Sequence, residues 1–248
     1  HVIATTRQSS HPELDQLRDK HPNRLHVLQL EGTNYNSFPG FVKQVEAIVG
    51  DQGLDTVINN AGILLDKRLD SVTAEDMLKN FEVNSVAPLM LTKALLPLLK
   101  VSAQSKRQTT LANISTILSS ITNIHNMKAY MFYPYSASKA ALNMITKCLS
   151  VDLGPENIRV LSIHPGHVQT DMGGPNAGIT VNTSVQGILN VIKNTSDEDL
   201  GKLITMSFET VLITESANRG IGLSLVRQVL TTTHAKHVIA TTRQSSHP

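Results

Sequence analysis

Residues 206–230 read MSFETVLITESANRGIGLSLVRQVL, in which an apolar run is followed by a glycine-containing turn and an amphipathic helical pattern. The apolar run covers 210–214, and Asn218, Gly220 and Gly222 mark the turn. β-Branched residues favour a strand, and glycines between a strand and a helix are typical of a βα unit. The stretch therefore predicts the first strand, turn and helix of an α/β fold.

The two ends of the chain are identical. Residues 1–12 and residues 237–248 both read HVIATTRQSSHP. A perfect repeat confined to the extremes indicates a changed order of elements, in which 206–248 precedes 13–205 and the repeat is shared at the join. In that order, 206–248 supplies the first strand, the glycine turn, the first helix and a second copy of the second strand. Permutation, tandem fusion and engineering all remain open as its cause.

Strand and helix patterns alternate along the whole chain. Strands are predicted at 210–214, 1–4 and its copy 237–240, 25–30, 56–59, 110–115, 158–163 and 202–205. Helices are predicted at 220–230, 41–49, 73–81, 86–99, 134–153 and 182–192. Continuous apolar strands separated by helices indicate a parallel sheet covered on both faces. We therefore predict one doubly wound, Rossmann-like α/β domain over 1–248.

Composition excludes several other classes of protein. Apolar residues make up 40% of the 248 residues and charged residues 17%, which argues against a disordered chain or a coiled coil. The net charge of +2 is too small for binding nucleic acid or a membrane surface through bulk electrostatics. A single cysteine, Cys148, favours a reducing, cytoplasmic compartment. The apolar stretch 88–99 is interrupted by Lys93, so no membrane span is predicted, and the histidines have no metal-ligand spacing.

Tyr135 and Lys139 form the first chemical constellation. They lie four residues apart in a predicted helix and therefore share one face. A free phenol has a pKa of about 10, and a nearby ammonium lowers that pKa by favouring the phenolate. Taken alone, such a pair is usually a helix surface, so its meaning depends on what surrounds it.

Polar motifs follow several of the predicted strands. The segment from Asn59 to Gly62, residue Asn84, the run from Asn113 to Thr116, and Pro165-Gly166 each lie at a strand end or early in a helix. Open α/β sheets bind ligands at the carboxyl ends of their strands. We therefore expect these groups to surround one site together with Tyr135.

The chain resembles the classical short-chain dehydrogenase/reductase family, and within it the C-factor and sniffer-type carbonyl reductases, in circularly permuted order. The segments that carry the resemblance are ITESANRGIGL, VINNAGIL, FEVNSVAPL, ANIST, YSASKAAL and HPGHVQTDMGG. The resemblance implies NADP(H) as cofactor, with NAD(H) less favoured. It also implies reduction of an aldehyde, ketone or quinone by hydride transfer, with Tyr135 as proton donor.

The resemblance assigns roles to individual residues. Lys139 would tune Tyr135 and bond the nicotinamide ribose, Asn84 would hold a water on the proton path, and Thr116 would take the place of the catalytic serine, with Ser115 as its alternative. The implied cofactor-binding residues are Ser216, Asn218, Arg219, Gly220, Ile221, Gly222, Arg7, Arg243, Glu31, Asn60, Ala61, Gly62, Pro165, Gly166, Val168 and Thr170. The family's preference for the 2′-phosphate of NADP(H) is marked at the positions of Arg219, Arg7 and Arg243. For Arg7 and its copy Arg243, which follow the repeated strand, the alternative is a solvated surface arginine.

The sequence departs from the family in its phosphate turn. The family begins this turn with Thr-Gly, whereas Thr214-Glu215-Ser216 stands here. A carboxylate near a pyrophosphate would repel it at a cost on the order of 1 kcal/mol. The alternative function is therefore a nucleotide-binding or signalling protein with impaired catalysis, and a third is a rearranged product without function.

The altered order also raises a problem of chain length. In the predicted strand order 3-2-1-4-5-6-7, residues 202–205 form the edge strand and 210–214 the central one. Reaching the centre from the edge needs roughly 25 Å, whereas the five links from residue 205 to residue 210 span at most about 17 Å. We therefore expect that 206–248 completes a neighbouring molecule's sheet in a segment swap or homo-oligomer, that the edge strand is lost, or that the connection itself is not real.

Overall fold

The computed structural model describes residues 1–8, 11–105, 107–206, 210–213 and 237–240. It divides into two compact units, His1–Thr205 and Met206–Pro248. The predicted glycine turn, the predicted helix at 220–230 and Arg243 lie outside the described residues. The single domain over 1–248 stays a prediction.

The described residues of the first unit contain six parallel strands in two sheets. The strands are β1 (Val2–Thr6), β2 (Leu25–Gln29), β3 (Thr56–Asn59), β4 (Thr109–Ile114), β5 (Ile158–His164) and β6 (Leu203–Thr205). β1 pairs with β2, and the other four pair in the order β3-β4-β5-β6. The predicted α/β class with parallel strands is confirmed.

Six α-helices cross between or flank these strands in the same described part of the chain. They are α1 (Pro12–Lys20), α2 (Phe38–Val49), α3 (Ala74–Phe81), α4 (Ala87–Gln104), α5 (Tyr133–Leu153) and α6 (Val181–Asn194). Helix α1 is absent from the sequence predictions because it buries no residue and therefore has no apolar face to detect. Pro12 in its first turn and basic residues in its last turn favour it locally.

The core lies on both faces of β4 and β5. On one face, Leu99 of α4 packs in a cluster with Leu111 and Val160. On the other face, Ala112 and Leu161 are fully buried and contact partly buried residues of α6. Successive residues of a strand point to opposite faces, so these two clusters confirm that the sheet is covered on both sides.

Helices α3 and α4 form one continuous helix of 31 residues, because a π-helical turn at Glu82–Val86 joins them. Its mean hydropathy reaches 1.4 over 18 residues, so by length and composition alone it could cross a membrane. The expectation that no segment is long enough to span a membrane is wrong. The prediction broke this helix between residues 81 and 86 and ended it at residue 99. Leu95, Leu98 and Leu99 pack in the core cluster, which is the environment of a helix inside a folded domain.

The second unit contains the parallel pair β7 (Thr210–Ile213) and β8 (His237–Ala240). Both copies of the repeat therefore form a strand, β1 in one unit and β8 in the other. The described strands form three sheets, so the single order 3-2-1-4-5-6-7 is not observed.

Candidate active site

The registers of three strands bring the predicted polar motifs to one edge of the sheet. Asn59 of β3 lies opposite Asn113 of β4, and Asn113 lies opposite Ser162 of β5. The chain segments that follow these positions therefore leave the sheet side by side. They carry Asn60, Ala61, Gly62, Ser115, Thr116, Pro165 and Gly166.

Tyr135 and Lys139 stand on the first turns of α5, facing this edge. Only 8% of Tyr135 and 4% of Lys139 is exposed. The Thr116 side chain lies beside the Tyr135 hydroxyl, and Lys139 Nζ donates to the carbonyl oxygen of Ile114 at 2.7 Å. The structure thus brings together three of the predicted catalytic residues, with Thr116 rather than Ser115 on the tyrosine.

Burial governs the protonation of this pair. It raises the pKa of Tyr135, and the neighbouring Thr116 side chain only partly opposes that rise. Burial also lowers the pKa of Lys139 to about 8. The expectation that Lys139 lowers the pKa of Tyr135 is therefore wrong for this structure, because desolvation of the phenolate outweighs any favourable charge.

Asn84 lies in the π-helical turn and ties three segments together. It is fully buried. Its Oδ1 accepts from the Ile63 amide at 2.8 Å, and its Nδ2 donates to the Ile63 carbonyl at 2.9 Å and to Ser138 Oγ at 3.0 Å. The side chain therefore positions the loop after β3 against α5. Its predicted role in holding a water stays a prediction.

A buried polar ladder supports the same edge from below. Asn59 Nδ2 donates to Asn113 Oδ1 at 2.8 Å and to Thr92 Oγ1 at 3.2 Å. Asn113 Nδ2 then donates to Thr146 Oγ1 of α5 at 2.9 Å. All four residues are buried, and satisfied polar groups of this kind hold their elements in one arrangement.

A glycine and two polar groups, unpartnered among the described residues, lie at this edge of the sheet. A Cβ at Gly62 would come within 3.1 Å of Asn84 Oδ1 and 3.3 Å of Lys139 Nζ, so glycine keeps space beside the lysine. Ser115 Oγ and His164 Nδ1 are buried without a hydrogen-bond partner in the described part of the chain. Burial, and then the charge of His167, lower the pKa of His164 to about 4. Ser115 follows β4 and His164 ends β5, so these unsatisfied groups stand at the same edge of the sheet. They fit a ligand with hydroxyl or amide groups, such as the ribose and carboxamide of a nicotinamide cofactor.

The remaining predicted cofactor residues lie in separate loops. Arg7 follows β1, where its carbonyl accepts from Gln29 Nε2 at 2.9 Å. Glu31 follows β2 and accepts from the Thr33 hydroxyl at 3.2 Å. Val168 forms an isolated bridge with Ile179 in the loop after β5, where the Thr170 hydroxyl accepts from the Gly173 amide at 3.2 Å. Ser216, Asn218, Arg219, Gly220, Ile221, Gly222 and Arg243 lie outside the described residues.

Sequence reasoning missed Ser138 as part of the site. Its hydroxyl accepts from Asn84 and donates to the Tyr135 carbonyl at 2.8 Å. Its position between Tyr135 and Lys139 can be seen in the sequence, but no spacing rule links it to Asn84, which lies 54 positions away.

Comparisons with known proteins agree on one family. A family model described as short chain dehydrogenase matches residues 1–198. C-signal of Myxococcus xanthus is 39% identical over 150 residues, which cover 60% of this chain and 86% of that protein. The carbonyl reductase Sniffer of D. melanogaster has a TM-score of 0.78 at 36% identity, covering 83% of this chain and 85% of its own. The structure of an NADPH-bound carbonyl reductase from chicken fatty liver also has a TM-score of 0.78 at 36% identity, with coverages of 83% and 84%.

Proposed function

Because the chain belongs to the short-chain dehydrogenase family, we propose that it is an NADPH-dependent oxidoreductase that reduces the carbonyl of a small aldehyde, ketone or quinone. The observation that carries this proposal is the buried Tyr135 on the Thr116 side chain, with Lys139 one helical turn away. The NADPH found in the similar chicken structure supports the choice of cofactor.

NADPH, when bound, supplies the hydride. Gly62, the segment from Pro165 to Thr170, and Glu31 would border it, and Arg7 would face the 2′-phosphate from the end of β1. Ser216, Asn218, Arg219, Gly220, Ile221 and Gly222 stay further candidates for cofactor contacts, and Arg243 is the alternative to its copy Arg7. Lys139 would contact the ribose hydroxyls through the space that Gly62 leaves.

Tyr135 donates the proton in this proposal. The phenol is protonated at neutral pH and can donate when negative charge develops on the substrate oxygen. Its raised pKa makes it a weaker acid than a free phenol, so its role rests on its position rather than on its acidity. Thr116 lies beside the phenol and would orient the same carbonyl. Ser115, whose hydroxyl is unpartnered among the described residues, is the second candidate for that contact.

The test compares two tyrosines that are two residues apart. Loss of NADPH absorbance is followed with a reactive dicarbonyl or a quinone as substrate. We expect Tyr135→Phe to lower kcat by about a thousandfold, within the usual contribution of a positioned acid. The control is Tyr133→Phe, because Tyr133 is 39% exposed and its loss should leave kcat unchanged. Equal rates for Tyr135→Phe and the wild type would overturn the proposal.

A nucleotide-binding or signalling role without turnover is the second candidate. Glu215 and Ser216 support it, since they replace the family's opening Gly at the phosphate turn. Binding of NADPH, measured by its fluorescence, together with no oxidation of any dicarbonyl or quinone, would favour this second function over the first.

We propose that 206–248 acts in a neighbouring copy, as a segment swap within a homo-oligomer. The short connection from Thr205 to Thr210 supports this. It spans at most about 17 Å, whereas reaching the centre of the predicted sheet from its edge needs roughly 25 Å. Sedimentation of the full chain should show a dimer or larger species, and a monomer with full NADPH turnover would refute the swap.

The exposed Cys148 is consistent with the predicted cytoplasmic location, which stays a proposal.

A further inference from the structure

Asn143 joins three elements behind the candidate site. It lies on α5, two turns beyond Tyr135. Its Oδ1 accepts from Ser162 Oγ of β5 at 2.6 Å. Its Nδ2 donates to Ser119 Oγ at 2.7 Å. Ser119 ends the short 3-10 turn Ile117–Ser119, directly after Thr116.

The direction of these hydrogen bonds is fixed by the number of available protons. Ser119 Oγ donates its single proton to the carbonyl oxygen of Thr116. It can therefore only accept from Asn143, which must present its NH₂ group to Ser119 and its oxygen to Ser162. Ser162 is fully buried, and Ser119 and Thr116 are each only 6% exposed. Water therefore competes little with this chain of hydrogen bonds.

The chain of hydrogen bonds ends on the residue that holds the tyrosine. The Thr116 carbonyl is held by Ser119, and the Thr116 hydroxyl accepts from the Leu118 amide at 3.2 Å and lies beside the Tyr135 hydroxyl. Asn143 and Tyr135 stand on the same helix. Asn143 therefore fixes the position of Thr116 relative to the helix that carries the Tyr135 phenol.

We propose that Asn143 is a positioning residue that acts through Ser119 to hold Thr116 against Tyr135. The proposal rests on the proposed reduction, but the arrangement of Thr116 and Tyr135 is a property of the protein itself. A change at Asn143 should therefore alter the geometry of the site even where no substrate is turned over.

The experiment uses the full chain with Asn143→Leu, Ser119→Ala and the double variant. We expect each single variant to lower kcat about tenfold, since small misplacements of a catalytic group are costly. The KM for NADPH should stay unchanged. The double variant should be no slower than the slower single variant, because both changes interrupt one chain of hydrogen bonds. Asn194→Leu is the control, since Asn194 is exposed on α6 and loses an amide in the same way.

Crystal structures of the Asn143→Leu and Ser119→Ala proteins separate this proposal from the proposed function. We expect the Thr116 hydroxyl to move away from the Tyr135 hydroxyl in both. If it moves and the wild type shows no NADPH oxidation, the positioning role stands and the proposed reduction fails. The positioning role is overturned if Thr116 keeps its place in both variants, or if the losses in kcat are additive.

Discussion

Replacement of Lys139 by Met should stabilise the fold while removing activity. The pKa of Lys139 falls from 10.5 to about 8, because only 4% of the residue is exposed. Each unit of pKa corresponds to about 1.4 kcal/mol, so keeping the buried amine charged at pH 7 costs about 3 kcal/mol. Loss of the hydrogen bond to the Ile114 carbonyl offsets part of that gain, by about 1–2 kcal/mol. We therefore expect the free energy of unfolding to rise by about 1–2 kcal/mol at pH 7.

The dependence on pH makes this prediction specific to Lys139. Between pH 8 and 10.5 the unfolded chain binds a proton that the folded protein has released, so the lysine's unfavourable contribution shrinks as pH rises. The advantage of Lys139→Met over the wild type should therefore fall by about 2 kcal/mol between pH 7 and pH 9.5. Urea unfolding at both pH values measures it.

Lys147→Met is the matched control, because Lys147 lies on the same helix with an exposed side chain. Its stability relative to the wild type should change little with pH. A Lys139→Met protein that is less stable than the wild type at pH 7, or whose advantage is the same at both pH values, would refute the reasoning that burial opposes the charge.

Gly62→Ala should raise the KM for NADPH about tenfold with little change in the urea midpoint, since the added Cβ lies 3.3 Å from Lys139 Nζ; an unchanged KM would contradict the cofactor placement. His164 has a pKa of about 4, so the folded protein resists a proton that the unfolded chain accepts below pH 6.5. Between pH 7 and pH 5 the wild type should lose about 2 kcal/mol more stability than His164→Gln, and equal losses in urea unfolding would argue against this. Gly53→Ala should destabilise by about 3 kcal/mol in the same assay, because its φ is +69° and the new Cβ would lie 2.4 Å from the Leu98 carbonyl oxygen; a midpoint within error of the wild type would contradict it.

The sequence was informative wherever an element has a periodic apolar pattern. β3 begins and ends where predicted, β5 and α5 differ from prediction by one residue at one end, and β4 is shifted by one residue at both ends. The convergence of Tyr135, Lys139 and Thr116 followed from strand ends meeting at one edge of a parallel sheet.

Other features could not be read from the sequence because they depend on tertiary contacts. The π-helical turn continues α3 into α4 through Pro88, which a sequence reading treats as a helix start. Burial, which no motif reveals, reversed the expected direction of the Tyr135 pKa shift. β1 and β8 have identical sequences, so residue type cannot tell which copy pairs with β2 and which with β7.

Helix α5 is attached to the sheet at successive heights, through Lys139 to Ile114 and through Thr146 to Asn113. Leucine side chains alone would tolerate a slide of one turn, about 5.4 Å, because one apolar contact resembles another. A slide of that size would leave several interior amide and hydroxyl groups unsatisfied at the same time. Conservative exchanges among the core leucines should therefore alter the melting temperature but leave the Tyr135 phenol aligned with the strand ends. The apolar interior is then free to diverge among descendants that keep the same chemistry.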